Sequence, residues 1–266
     1  MLFVSVKTKM LLFLSLLMLL FITSCIPQKE IVYLQKKDSK KGYENPYLDA
    51  DSITEKYILR PNDALFIHVS TSNTKLSEFF NPSRTGSSSS STLGSLYTYP
   101  IDDHYNIEFP FVGKINLENC NRSQARIKII EALKPFLADA QVTVKLNNPT
   151  FIALGEVRSS GRISMEKDVV SIYEAVALAG DIQTFGKRKQ VKVVRPLQDK
   201  HEVFYVDLTD ENILGSDKYY IYPNDVIYVR AMKAKSWGIG ESLSFGILTS
   251  SIALYFAITS LVKTFK

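Results

Sequence analysis

Hydrophobic and polar positions divide the chain into three stretches. Residues 10–22 are apolar but for one serine, and residues 243–262 carry no charge at all. Between them, apolar positions recur at the short periods of strands and helices. Leu65, Ile67 and Val69 fall on one face of an extended segment, which predicts a strand. Pro61-Asn62-Asp63 precedes it. Pro61 presets a turn φ angle, and Asn62 and Asp63 are residues that bond back to the backbone. The same unit returns downstream, where Pro223-Asn224-Asp225 leads into the alternating positions Val226 to Val229. Tyr57 and Tyr219 stand at the same offset before the two prolines. Two related strand-turn units therefore bracket the body, in the manner of a duplication.

The interval between those units predicts further elements. Residues 107–115 read as two short strands joined by a turn. Asn121, with Gln124 three positions on, forms a capping-box variant. It opens a helix carrying Ala125, Ile129, Ala132, Leu133 and Phe136, which Pro135 must end or bend. Strands follow at 142–146 and 151–154. Ser171 and Glu174 form a second capping box, and the helix it opens stops at Gly180, a suitable C-cap. Strands near 191–194, 203–206 and 226–229 close the body. This mixture predicts an α+β fold of two small sheet-plus-helix domains in series. Residues 85–95 read as a Ser/Gly-rich flexible loop. Residues 26–56 read as a polar tether, with order beginning at Tyr57.

The two apolar ends call for a membrane. Lys7 and Lys9 precede the first run, whose length suits a signal peptide and is short for a spanning helix. Ile22-Thr23-Ser24-Cys25 follows. This resembles the bacterial lipobox, with Ile22 in place of the commoner leucine. Residues 1–24 would then be a lipoprotein signal peptide, and Cys25 the acylated first residue of the mature chain, palmitate included. More than one acyl chain makes a firm tether. An uncleaved anchor with an incidental cysteine is the other reading. At the far end, residues 237–264 predict a transmembrane helix, since the uncharged stretch reaches about 30 Å. Ser242, Gly246, Ser250, Ala253, Ala257 and Ser260 form one stripe along it, flanked by Thr249. Such a stripe permits close helix–helix approach in lipid, or faces a water-filled lumen. A single anchor with a chance stripe is the remaining alternative.

Composition narrows the function. The chain is 45% hydrophobic and 22% charged, with a net charge of +5. That suits a globular body with apolar appendages. The positive excess lies partly in the leader, in Lys187-Arg188-Lys189 and at the tail flanks. No basic stripe interleaves with aromatics, which argues against nucleic acid as a partner. His68, His104 and His201 are scattered without metal-ligand spacing. Asp102-Asp103 beside His104 reads as a solvated turn rather than an acid–base pair. No nucleophile elbow, phosphate loop or dinucleotide fingerprint is present. The reading is therefore a non-enzyme without cofactor or metal. With Cys25 lipidated, Cys120 is alone and reads as a buried structural thiol, the other reading being a pairing between chains.

Taken together, these residues resemble the Wza-type outer-membrane polysaccharide export proteins. The turn-strand at 57–69, the strands within 107–115, the helix after Asn121 and the strand 142–146 resemble that family's periplasmic export domain. Gly155-Glu156-Val157-Arg158-Ser159-Ser160-Gly161 resembles the Gly-Glu-Val-x-x-Pro-Gly opening of its β-grasp-like ligand-binding module, with Ser160 in place of proline. Asn62 and Asn224 stand where the family usually has glycine, and asparagine tolerates φ > 0 better than most residues. The resemblance implies a tether at 25–56, an export domain at 57–148, one β-grasp-like module at 149–232 and the tail helix.

It further implies a homo-oligomeric ring, an octamer, anchored in outer-membrane lipid with its body in the periplasm. Capsular or exopolysaccharide would leave through a passive, porin-like channel lined by the tail helices. An inner-membrane polysaccharide co-polymerase or tyrosine-kinase-type protein would be the partner. Lys187, Arg188 and Lys189 either contact acidic sugars or form a solvated loop. A hydrophilic polymer cannot cross about 30 Å of hydrocarbon unaided, so several striped helices would have to gather around water, and closed cyclic symmetry is the economical arrangement. The alternative is a lipid-anchored envelope glycan-binding or scaffold protein without a pore.

Overall fold

The computed structural model describes residues 27–36, 55–81, 98–198 and 200–236, with Ser250 and Ala253 as isolated positions further on. The lipobox with Cys25, the 85–95 loop, and Ser242, Gly246, Thr249, Ala257 and Ser260 of the tail stripe lie outside the described residues. Ser250 and Ala253 are helical and exposed. Among the described residues no helix is long and apolar enough to cross a membrane.

The architecture is mixed α+β, built around two hydrophobic clusters. In the first domain, β1 (Ala64–Ser70) runs antiparallel between β2 (Thr98–Pro100) and β5 (Gln141–Leu146). Leu65, Ile67 and Val69 are fully buried, as the strand's period of two requires. α1 (Thr74–Phe80) follows β1, and a hairpin of β3 (Asn106–Phe109) and β4 (Gly113–Asn116) packs beside them. α2 (Arg122–Leu133) opens on a complete capping box. The Asn121 side chain accepts from the Gln124 N–H at 2.8 Å, and Gln124 Oε1 accepts from the Asn121 N–H at 2.9 Å. Ala125, Ile129 and Leu133, one turn apart, enter the core. The helix stops two residues short of Pro135. Phe136, expected on the buried face, therefore lies past the helix end and is exposed. Cys120 is a buried free thiol.

The second domain centres on a five-stranded sheet in the order β10-β9-β12-β6-β7. Its members are β6 (Thr150–Gly155), β7 (Gly161–Ser164), β9 (Gly186–Pro196), β10 (His201–Val206) and β12 (Val226–Ala231). β6 and β12 pair in parallel and the other neighbours antiparallel. β8 (Val170–Ser171) pairs with β11 (Tyr220–Ile221) and leads into α3 (Ile172–Leu178), which also opens on a complete capping box. Gly180 follows it at φ +75°, a left-handed C-terminal turn that glycine adopts without strain. α4 (Lys233–Ser236) ends the body.

Two sequence expectations are revised. β9 starts earlier than expected and takes in Lys187, Arg188 and Lys189, so that run is strand and not loop. The first part of the expected tether is docked on the second domain. After a 3₁₀ turn at Gln28–Glu30, the Leu34 and Gln35 N–H groups donate to Leu208 and Thr209 carbonyls at 3.2 and 2.6 Å. Tyr33 sits edge-on against Tyr173. Backbone pairing and one aromatic hold this strap in place, and neither leaves a hydrophobic period in the sequence.

Candidate functional site

The two Pro-Asn-Asp turns meet where the domains join. Each is closed by a backbone bond, Asp63 N–H to the Arg60 carbonyl at 3.1 Å and Asp225 N–H to the Tyr222 carbonyl at 3.2 Å. Asn62 has φ 69° and Asn224 φ 67°. Proline at the second position with φ > 0 at the third makes both type II turns. Asparagine thus occupies the left-handed position that glycine would favour. Each aspartate then locks its own turn. The Arg60 N–H donates to Asp63 Oδ2 and the Tyr222 N–H to Asp225 Oδ2, both at 2.9 Å.

The duplicated turns also bond to one another. Asn224 Nδ2 reaches Asp63 Oδ1 at 3.4 Å, and the Tyr57 hydroxyl donates to Asp63 Oδ2 at 2.8 Å. Tyr222 belongs to the second domain by sequence but is buried in the core of the first. Arg195 of β9 fixes the second turn. Its guanidinium donates to both Asp225 oxygens, at 2.9 to 3.2 Å, and to the Tyr220 carbonyl at 2.7 Å. It also lies 4.4 Å from the centre of the Tyr222 ring. Arg60 lies over Tyr57 at 5.2 Å. Burial raises the Asp63 and Asp225 carboxyls above the usual aspartate range, opposed at Asp63 by the Tyr57 hydroxyl and at Asp225 by Arg195. Burial also raises the Tyr57 hydroxyl strongly.

A half-open cleft of about 340 Å³ lies over this joint. The wall on the side of the first domain includes Lys56, Ile58 and Arg60. The opposite wall includes Arg195, Glu202 and Asp217. Lys56 pairs with Asp217 at 2.8 Å. The repeated turn motif was visible in the sequence. The cleft was not, because it depends on β9, β10 and the segment before Tyr57 converging from positions that share no local pattern.

The other sequence candidates fall elsewhere. Arg188 is buried, and its guanidinium donates to the Ile182, Gln183 and Gly186 carbonyls at 2.7 to 3.4 Å while lying 5.2 Å from the Tyr33 ring centre. Those bonds turn its guanidinium inward. Lys187 reaches Gln190 at 2.8 Å, and Lys189 pairs with Glu30 of the strap at 3.4 Å. Asp102 accepts from the His104 and Asn106 backbone N–H groups at 2.9 and 2.8 Å, so it organises a turn. Those backbone bonds hold its carboxyl below the usual range. Among the described residues no three His, Cys, Asp or Glu side chains converge as a metal site.

Comparison with known proteins places the first domain. Residues 51–147 match the family described as polysaccharide biosynthesis/export protein. The EPS I polysaccharide export outer membrane protein EpsA of Ralstonia solanacearum is 28% identical over 101 residues, 36% of this chain. That similarity covers 27% of the relative's length.

Proposed function

We propose that the protein is an outer-membrane component of a polysaccharide export channel, since its residues 51–147 match the polysaccharide biosynthesis/export family. The family match across the first domain carries this reading. In it, Cys25 is lipidated and holds the body on the periplasmic face of the outer membrane. Identical copies form a closed ring, and residues 237–264 of each contribute one helix to a passage for capsular or exopolysaccharide. The small residues of the stripe turn toward water and the larger apolar ones toward lipid. The chain acts as a passive conduit, and an inner-membrane polysaccharide co-polymerase or kinase-type partner drives the polymer.

The domain joint supports the reading mechanically. A ring that directs polymer into a membrane passage needs its two domains held at a fixed angle. The interlocked turns, the buried Arg195–Asp225 pair and the stacked tyrosines supply that rigidity. The decisive experiment is deletion of the gene with complementation. Surface polysaccharide is expected to fall and polymer to accumulate inside the envelope, with both restored by the intact gene. Normal surface polysaccharide in the deletion strain would refute the proposal. In mild detergent the lipoprotein is expected as a ring, and a folded monomer would favour the anchored glycan-binding alternative.

A further inference from the structure

We infer that the cleft over the domain joint binds a short segment of uncharged polysaccharide, recognised through Arg60 on one wall and Glu202 on the other. The inference rests on the export reading and names what the cleft takes.

Two polar groups of this cleft have side-chain atoms without a partner among the described residues. Arg60 Nη1 is buried and finds no acceptor among the described residues. A buried unpaired donor is uncommon and costly, and a sugar hydroxyl oxygen is an acceptor suited to it. Glu202 lines the same cleft from β10, is exposed, and its side chain makes no hydrogen bond or ion pair among the described residues. One wall therefore offers a donor and the other an acceptor. Neighbouring hydroxyls of a pyranose ring both accept and donate, so a single sugar unit answers both.

The surroundings fit the same class of ligand. Ile58 and Leu197 present aliphatic surface within the cleft, against which the C–H face of a sugar ring packs. At about 340 Å³ the cleft lies at the small end of the roughly 300–1,000 Å³ range of ligand sites. It is half open, as a site on a continuous polymer must be. Its positive charges also cancel. Lys56 pairs with Asp217, Arg195 with Asp225, and Arg60 stands beside Asp63, leaving the Glu202 carboxylate on the cleft wall. With no surplus of positive charge, the cleft gives an acidic polymer no electrostatic advantage over a neutral one.

Calorimetric titration of the full-length lipoprotein in detergent tests this. The probes are oligosaccharides cut from the cell's own surface polysaccharide and separated into neutral and acidic fractions by anion exchange. Neutral fragments are expected to bind. Glu202→Ala, at an exposed position, and Arg60→Lys are each expected to weaken binding at least tenfold. Glu131→Gln, on the exposed face of α2, should leave it unchanged. Undiminished affinity in Glu202→Ala and Arg60→Lys, a preference for acidic fragments, or no binding of any fragment would overturn the inference. The export reading is judged separately by the deletion strain. Loss of surface polysaccharide there, together with no fragment binding, would sink the cleft proposal and leave export standing.

Discussion

The rings of Tyr57 and Tyr222 lie 6.4 Å apart between centres and within 12° of parallel, although one opens the first domain and the other belongs to the second. The stack has a guanidinium on each side, Arg60 over Tyr57 and Arg195 over Tyr222. Each arginine stands near a turn aspartate, so charge, stacking and turn geometry all close on the same few residues. The domains accordingly share part of one core.

That arrangement makes Asp225 the most sensitive position of the joint. Its side chain is fully buried, and that of Arg195 is only 13% exposed. Removing one partner of a buried pair strands the other charge, at a cost of about 3–5 kcal/mol. Asp225→Ala is therefore expected to lower stability by that amount in urea denaturation. It should also split one cooperative transition into two, because Tyr222 loses the carboxylate that holds its turn. A single transition at the wild-type midpoint would show that the pair does not hold the domains together.

Gly155 offers a sharper test of the second domain. Its φ is +87°, and an added Cβ would stand 2.0 Å from the Val229 carbonyl oxygen. That carbonyl accepts the Glu156 N–H at 2.9 Å where β6 and β12 run in parallel. Gly155→Ala is expected to cost about 2–4 kcal/mol from left-handed strain and overpacking together. At Gly113, which has the same φ of +87°, an added Cβ would meet nothing within 4 Å, so Gly113→Ala carries the strain without the clash and should cost clearly less. Thermal midpoints of the two variants check the order.

Residue pattern reveals some of this molecule and hides the rest for physical reasons. Both capping boxes, the burial of Leu65, Ile67 and Val69, and the stop of α2 before Pro135 were readable because each depends on neighbours within one or two turns. The type II turns were readable for the same reason, since proline and asparagine fix local φ. That the two turns would bond to each other was not readable. Asn224 and Asp63 are 161 positions apart, and only the assembled fold brings them together. The repeat even misleads in one detail. Tyr219 matches Tyr57 in spacing, yet Tyr222 makes the stack, while Tyr219 packs against Tyr173 and Tyr220. Arg188 shows the same limit, because a basic run does not disclose which cation points inward.

The docked strap carries a pH signature. Tyr33 donates to Asp181 Oδ1 at 2.5 Å. Burial first, and the Asp181 carboxylate second, push its hydroxyl up to about 12 from the ordinary 10.0. A folded value above the unfolded one means that the strap's contribution is complete below pH 10 and is lost as pH rises from 10 through 12. Proteolysis before residue 36 should accelerate in that window and not below it. Tyr33→Phe removes the titration and, near neutrality, about 1 kcal/mol of docking. Protease sensitivity that is flat from pH 9 to 12 in the wild type would contradict the assignment.

The channel reading makes its own demand on the tail. If small side chains at Gly246 and Ala253 let neighbouring helices approach or leave a wet lumen, leucine at both positions should abolish ring assembly and export. Each leucine fills the space that close helix contact in lipid requires, and no solvent-driven hydrophobic gain compensates there. The body should be unaffected, since its two cores are formed by residues between Tyr57 and Val229. A soluble fragment ending at Ser236 serves as the folding control, with unchanged circular dichroism and urea midpoint expected alongside the full-length variant's body. Cys25→Ser separates anchoring from assembly. It should eliminate incorporation of labelled palmitate and release the protein from the outer membrane while leaving the stripe intact. Wild-type levels of surface polysaccharide in the double-leucine strain would remove the tail from the passage and leave it an anchor alone.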